Sequence, residues 1–208
     1  MELLSRLLGG QEKVKIMRYF LYHEDIFVDA GTIAEKTKSK AAIVRKELNT
    51  LAAIGFVEKK KGKVFVTGKN GKSSSKEIVG YKLNTEFPHN QALKDLLFDF
   101  ELLDKRELAA RFKAVGRIKL FIVSGVFLAE LDSRVDVLMV GEAIKKPKAE
   151  KLFEALSAEL GREVIYSVMD VEEYLYRFKM SDKFIRDILD MPHEKVIDKL
   201  SEKPTAAQ

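Results

Sequence analysis

The chain has 208 residues, 46% hydrophobic and 33% charged, with 37 Lys and Arg against 32 Asp and Glu. A chain of this length buries on the order of 70% of its unfolded surface in one large or two small domains, so it needs no covalent staple. The absence of cysteine excludes thiol catalysis, a Cys-ligated zinc and a disulfide framework.

The longest uncharged apolar run, 120–129, is about half of a membrane span. The first residues lack the basic and apolar regions of a secretory signal. A soluble, cytoplasmic protein with no membrane partner is therefore expected.

The positive charge is concentrated. Residues 36–82 hold 13 basic and 3 acidic residues, a net of +10, whereas residues 91–208 are slightly acidic. A basic segment joined to a nearly neutral remainder points to a polyanion partner for the first part, with a solvated lysine-rich surface as the alternative.

In chain order, Val14, Met17, Phe20 and Leu21 recur at helical spacing and predict a helix over 11–25. Thr32 and Glu35 have the spacing of a capping box at the start of a short helix. Ser39 is the expected cap of a third helix reaching about Ile54, with Val44, Leu48 and Leu51 along one face. Gly55 stands where a left-handed residue closes that helix. Two β-rich runs follow, 56–67 and 77–83, around a polar loop at 68–76.

Helix, helix–turn–helix and hairpin in that order form the winged helix–turn–helix, in which one helix enters the major groove and the hairpin follows the backbone. Opposite the apolar face of the third helix lie Ser39, Lys40, Ala42, Arg45, Lys46 and Asn49: small residues for close approach, cations for phosphates and an amide for a base edge. Lys69, Lys72 and Lys76 extend the set into the hairpin loop.

The stretch TIAEKTKSKAAIVRKELNTLAAIGFVE (32–58) resembles the arsenical-repressor-type winged-helix regulators. That resemblance implies a homodimer bound to double-stranded DNA through two half-sites. The thiols with which some members sense metals are missing, so metal sensing does not carry over.

Beyond Asn84 the pattern changes to strands alternating with helices, so the fold class expected overall is α/β (α+β in two domains). A domain over 1–84, a linker at 85–90, a second domain over 91–200 and a tail at 201–208 are expected. Residues 91–115 predict one or two helices, and strands are predicted over 118–123, 135–140 and 163–169. Helices are predicted over 147–160, after an Asp170/Glu173 cap, and over 181–189.

The segment IVSGVFLAELDSRVDVLMVG (122–141) resembles the minimal nucleotidyltransferase fold. Its signature is Gly-Ser, a helical spacer, then Ser-Asp-x-Asp, with the two aspartates and a third carboxylate holding two Mg²⁺ ions. Here Ser124-Gly125 is inverted, Arg134 stands at the first aspartate, and only Asp136 remains as a strand carboxylate. No metal site and no cofactor are expected, and Ser124, Gly125 and Asp136 are vestigial, Asp136 pairing with Arg134 or another cation.

Together with GYKLNTEFP (80–88), QALKDLL (91–97) and GREVIYSVMDVEEYLYR (161–177), the chain resembles a winged-helix regulator fused to a nucleotidyltransferase-like domain. The resemblance implies a DNA-binding transcriptional regulator whose second domain serves sensing, dimerisation or partner binding, with a nucleotide or protein effector possible. The alternatives are an active Mg-dependent nucleotidyltransferase and an antitoxin-like partner of a toxin protein.

Other features stay outside the predicted site. His23, His89 and His193 lack metal spacing and suit surface or cap positions. Tyr166, Tyr174, Tyr176 and Phe178 fit a core, and Lys59, Lys60 and Lys61 fit a solvated hairpin edge. Residues 1–8 suit a docking helix or a frayed end.

Overall fold

The computed structural model describes residues 2–67, 73–98, 104–128 and 132–201. The fold is mixed α/β and contains two separate sheets. It divides into two compact units, Met1–Phe98 with Ser157–Arg162, and Asp99–Leu156 with Glu163–Gln208. The helix over 90–97 thus groups with the first unit, beyond the expected boundary at residue 84.

The first unit contains α1 (Glu2–Leu7), α2 (Gln11–Tyr22), β1 (Val28–Asp29), α3 (Ala30–Lys36), α4 (Ala41–Ala53), β2 (Val57–Thr67), β3 (Ser73–Leu83) and α5 (Asn90–Leu97). Its sheet is antiparallel in the order β1-β3-β2. The apolar positions of α2 and α4 converge with Ile33, Phe56, Tyr81 and Leu83 into one core. Of the two expectations for the amino end, a helix and a frayed end, the helix forms: Leu4 and Leu8 pack on this core, while Leu3 and Leu7 face outward.

Both predicted caps move. Asp29, not Thr32, caps α3, its Oδ1 accepting from Gly31 N and Thr32 N. Pairing of Val28 and Asp29 with Tyr81 and Gly80 holds the chain extended up to Asp29, so the helix starts there, ahead of the Thr-x-x-Glu spacing. Lys40 occupies the cap position of α4 without a side-chain bond, and Ser39 Oγ donates back to Thr37 O.

The hairpin loop is shorter than expected. Thr67 pairs with Ser73 and Val64 with Lys76, so 73–76 belong to β3. Ladder bonds use main-chain groups, and the β-branched partner strand Val64–Thr67 extends the pairing past the serines. Gly62 and Gly80 leave room for Phe27, whose ring would lie 2.6 Å and 2.5 Å from a Cβ at either position.

Three helices end alike. The residue after the cap (Lys38, Gly55 or Ser181) has φ of 49°, 80° or 52°. Paired bonds close each end, as in Gly55 N to Ala52 O and Phe56 N to Leu51 O. This is the Schellman closure, in which glycine avoids a left-handed cost of about 1 kcal/mol.

Among the described residues Arg18 is the largest fully buried side chain and the only buried Arg or Lys. Its Nε donates to Leu97 O at 2.8 Å and its Nη1 to Glu159 O at 2.9 Å. Both carbonyls lie at helix C-termini, where the backbone dipoles favour a cation. Burial lowers its pKa to about 10, opposed by the nearby Glu159 charge, and leaves it protonated near neutrality.

The second unit contains α6 (Lys105–Arg111), a 3₁₀ turn at Lys113–Val115, β4 (Arg117–Val123), a second 3₁₀ turn at Gly125–Leu128, β5 (Val137–Glu142) and α7 (Lys146–Leu160) as far as Leu156, its last turn grouping with the first unit. Then follow β6 (Tyr166–Asp170), α8 (Val171–Lys179), α9 (Lys183–Asp190) and β7 (Glu194–Asp198). The sheet order is β6-β5-β4-β7; only β5 and β6 are parallel, joined through α7.

On one sheet face the rings pack in series, Phe121 on Phe112, Phe112 on Phe153, and Phe153 on Tyr166. The other packs Leu120, Ile122, Leu138 and Val140 against Tyr174, Ile185 and Ile188. Tyr176 and Phe178, expected in the core, are 67% and 54% exposed, because the inward face of α8 is already filled by Tyr174. Asp170 caps α8 as expected, accepting from Glu173 N at 2.7 Å.

Gly55→Ala is expected to lower stability and Ser181→Gly to raise it, each by about 1 kcal/mol, in urea titrations. Arg18→Met removes the guanidinium donor from the buried Leu97 carbonyl and the part-buried Glu159 carbonyl and is expected to cost about 2–4 kcal/mol by the same measurement.

Candidate nucleic-acid interface

The candidate interface is built on α4. Its inner positions Val44, Leu48 and Leu51 are at most 1% exposed, which fixes the rotation of the helix about its axis. The closed turn at Lys38 sets its start relative to α3, and the Schellman end at Gly55 sets its exit into β2. A Lys13–Glu47 ion pair at 3.3 Å ties its flank to α2. Asn84 Nδ2 donates to Gly55 O at 2.8 Å and anchors the helix end to the exit of the hairpin.

This mounting turns Lys40, Ala42, Arg45, Lys46 and Asn49 outward, all exposed, with Ser39 half-buried beside them. Lys40, Arg45 and Lys46 form no ion pair among the described residues. Asn49 Oδ1 accepts from Lys59 Nζ at 3.4 Å, and Lys59 lies 5.8 Å from the Tyr81 ring centroid. Lys59 therefore joins the α4 face, a contact that sequence spacing missed because it depends on how the turn at Gly55 folds β2 back beside α4. Lys69 and Lys72 lie outside the described residues, as does the side chain of Lys76.

The other predicted group, Ser124, Gly125 and Asp136, does come together, but as scaffold. Asp136 is 3% exposed. Its Oδ1 accepts from Val126 N at 2.8 Å and its Oδ2 from Ile165 N at 2.9 Å. Ser124 Oγ donates to Val135 O at 2.5 Å, and Gly125 N donates to Ser133 Oγ at 3.1 Å. Gly125 has φ of 54°, and a Cβ there would lie 2.2 Å from Asp136 Oδ1, so glycine is obligatory at this turn.

The expected Asp136–Arg134 pair does not form. Arg134 instead binds Asp187 of α9, with Nη2 to Oδ2 at 2.8 Å and Nε to Oδ2 at 2.9 Å. Asp136 faces backbone amides, which satisfy both of its oxygens without a cation. Among the described residues no group of three or more His, Asp or Glu is placed to hold a metal ion.

His23 and His89 occupy helix-terminal positions, and His193 Nδ1 lies 2.9 Å from Met191 O. Comparison with family models, curated proteins and solved structures found no match for this chain.

Asp136→Asn keeps the shape but points an amide N–H₂ at one of two backbone N–H groups. It is expected to lower stability by about 2–4 kcal/mol in urea unfolding, and Asp136→Ala by at least as much.

Proposed function

We propose that the chain is a DNA-binding transcriptional regulator: its first unit is a winged helix–turn–helix that presents α4 to the major groove of duplex DNA. The observation that carries this reading is the outward face of α4, where Lys40, Arg45 and Lys46 stand unpaired among the described residues on a helix whose opposite side is locked into the core. The hairpin β2–β3 supplies the wing, with Lys59 beside Asn49 at its base. In this role Arg45, Lys46 and Lys40 neutralise phosphates or reach a guanine edge, Ala42 permits close approach, and Asn49 is the amide for an adenine edge. The regulator acts as a homodimer, so that two copies read two half-sites.

The second unit is read as a catalytically silent relative of the minimal nucleotidyltransferase fold. Support comes from Asp136, whose two oxygens are taken up by Val126 N and Ile165 N, and from Arg134, which puts a cation bound to Asp187 at the place of the first metal-binding aspartate. Its role is then in assembly or regulation and not in nucleotidyl transfer.

Selection of genomic fragments on the purified chain, followed by gel shift, tests the reading. A defined sequence is expected to emerge, with log affinity falling linearly against log salt concentration. Arg45→Ala with Lys46→Ala is expected to weaken binding to that sequence by about 10- to 100-fold and to blunt its preference over random duplex. Unchanged binding in the double variant would remove α4 from the interface.

A further inference from the structure

A second group of cations lies at one end of the sheet in the second unit. Arg117 and Lys119 of β4 share the carboxylate of Glu142 at the end of β5, at 3.0 and 3.2 Å. The connection into α7 brings exposed Lys145, Lys146 and Lys148 to the same end, with Lys145 N donating to Val115 O, two residues before Arg117. From the other side, Lys199 N donates to Lys119 O at 2.8 Å.

Glu142 is shared by two cations. Lys145, Lys146, Lys148 and Lys199 form no ion pair among the described residues. Like charges gathered at one end of a sheet repel, and among the described residues no carboxylate pairs with these four lysines. A partner dense in negative charge would supply the counter-charge.

The surroundings narrow the partner. None of the exposed large hydrophobic residues lies within 113–119, within 142–151 or at 199. The edge thus lacks the apolar side chains with which a basic surface enters a bilayer, and the aromatic rings on which unpaired bases stack. What remains is lysine and arginine against solvent, the composition of a contact to duplex phosphates.

We infer that this cationic edge is a second, sequence-independent contact of the chain to the phosphate backbone of duplex DNA. The inference rests on the DNA-binding reading of the first unit and extends it. The slightly acidic total of residues 91–208 conceals the edge, because six of the basic residues are gathered at one end of the sheet. Joining a reading contact and a non-reading contact on one chain raises overall affinity through effective concentration, without changing which sequence is preferred.

The test uses the full chain and its Lys145→Ala/Lys146→Ala/Lys148→Ala variant, with the selected duplex and a random-sequence duplex of equal length. All three lysines are exposed, so an unchanged thermal midpoint establishes that the variant is folded. Expected is a loss of about tenfold on both duplexes alike, with the log–log salt slope reduced by about 2–3 and the ratio between the duplexes unchanged.

Unchanged affinity and slope, while Arg45→Ala/Lys46→Ala still weakens binding, would overturn this inference and leave the α4 reading standing. Absence of duplex binding by the unaltered chain would overturn both. Tighter binding of the unaltered chain to single-stranded RNA, or to phosphatidylserine-containing vesicles, with that binding lost in the triple variant, would overturn the choice of duplex DNA as the partner.

Discussion

A polar group taken out of water must find a partner in the fold, and this requirement separates scaffold from surface throughout the chain. Arg18 satisfies it with carbonyls at Leu97 and Glu159, Asp136 with amides at Val126 and Ile165, and Asp29 with the first amides of α3. Each of these charged groups binds main chain. The cations of α4 carry no such obligation, and the proposed reading rests on that difference.

The same requirement changes the meaning of the residues around Asp136. In sequence they look like the remains of a metal site; in the fold, Ser124, Gly125, Ser133 and Asp136 form a closed set of hydrogen bonds joining the turn after β4 to the segment before β6. A carboxylate held on both oxygens by backbone amides stabilises a turn and is costly to withdraw. Under the proposed reading, a group once suited to catalysis has become a structural clasp.

Much of the first unit was legible because its apolar residues recur at helical spacing along α2 and α4, and because strand-forming residues cluster in the hairpin runs around a polar loop. Features that depend on tertiary pairing were not. β1 has two residues and exists through Tyr81 and Gly80, and its position decides that Asp29 rather than Thr32 caps α3. β7, half-exposed and charged, carries no alternation strong enough to mark it, and forms by pairing with β4. The outward residues of α4 follow from helical phase alone. The engagement of Asn49 by Lys59 and of Asp136 by two amides depends on turns whose angles composition does not encode.

The lysines at 59, 60 and 61 have a further consequence. β2 lies at the border of its sheet, with β3 on one side and no strand on the other among the described residues. Charged side chains along such a border repel a second border and so discourage chains from zipping together. This guard works through unscreened charge, whose reach shrinks to about 3 Å at 1 M salt. Under the proposed reading, a concentrated electrolyte that strips the chain from nucleic acid would at the same time disarm the border strand, so purity from polyanions and freedom from self-association pull the solvent in opposite directions.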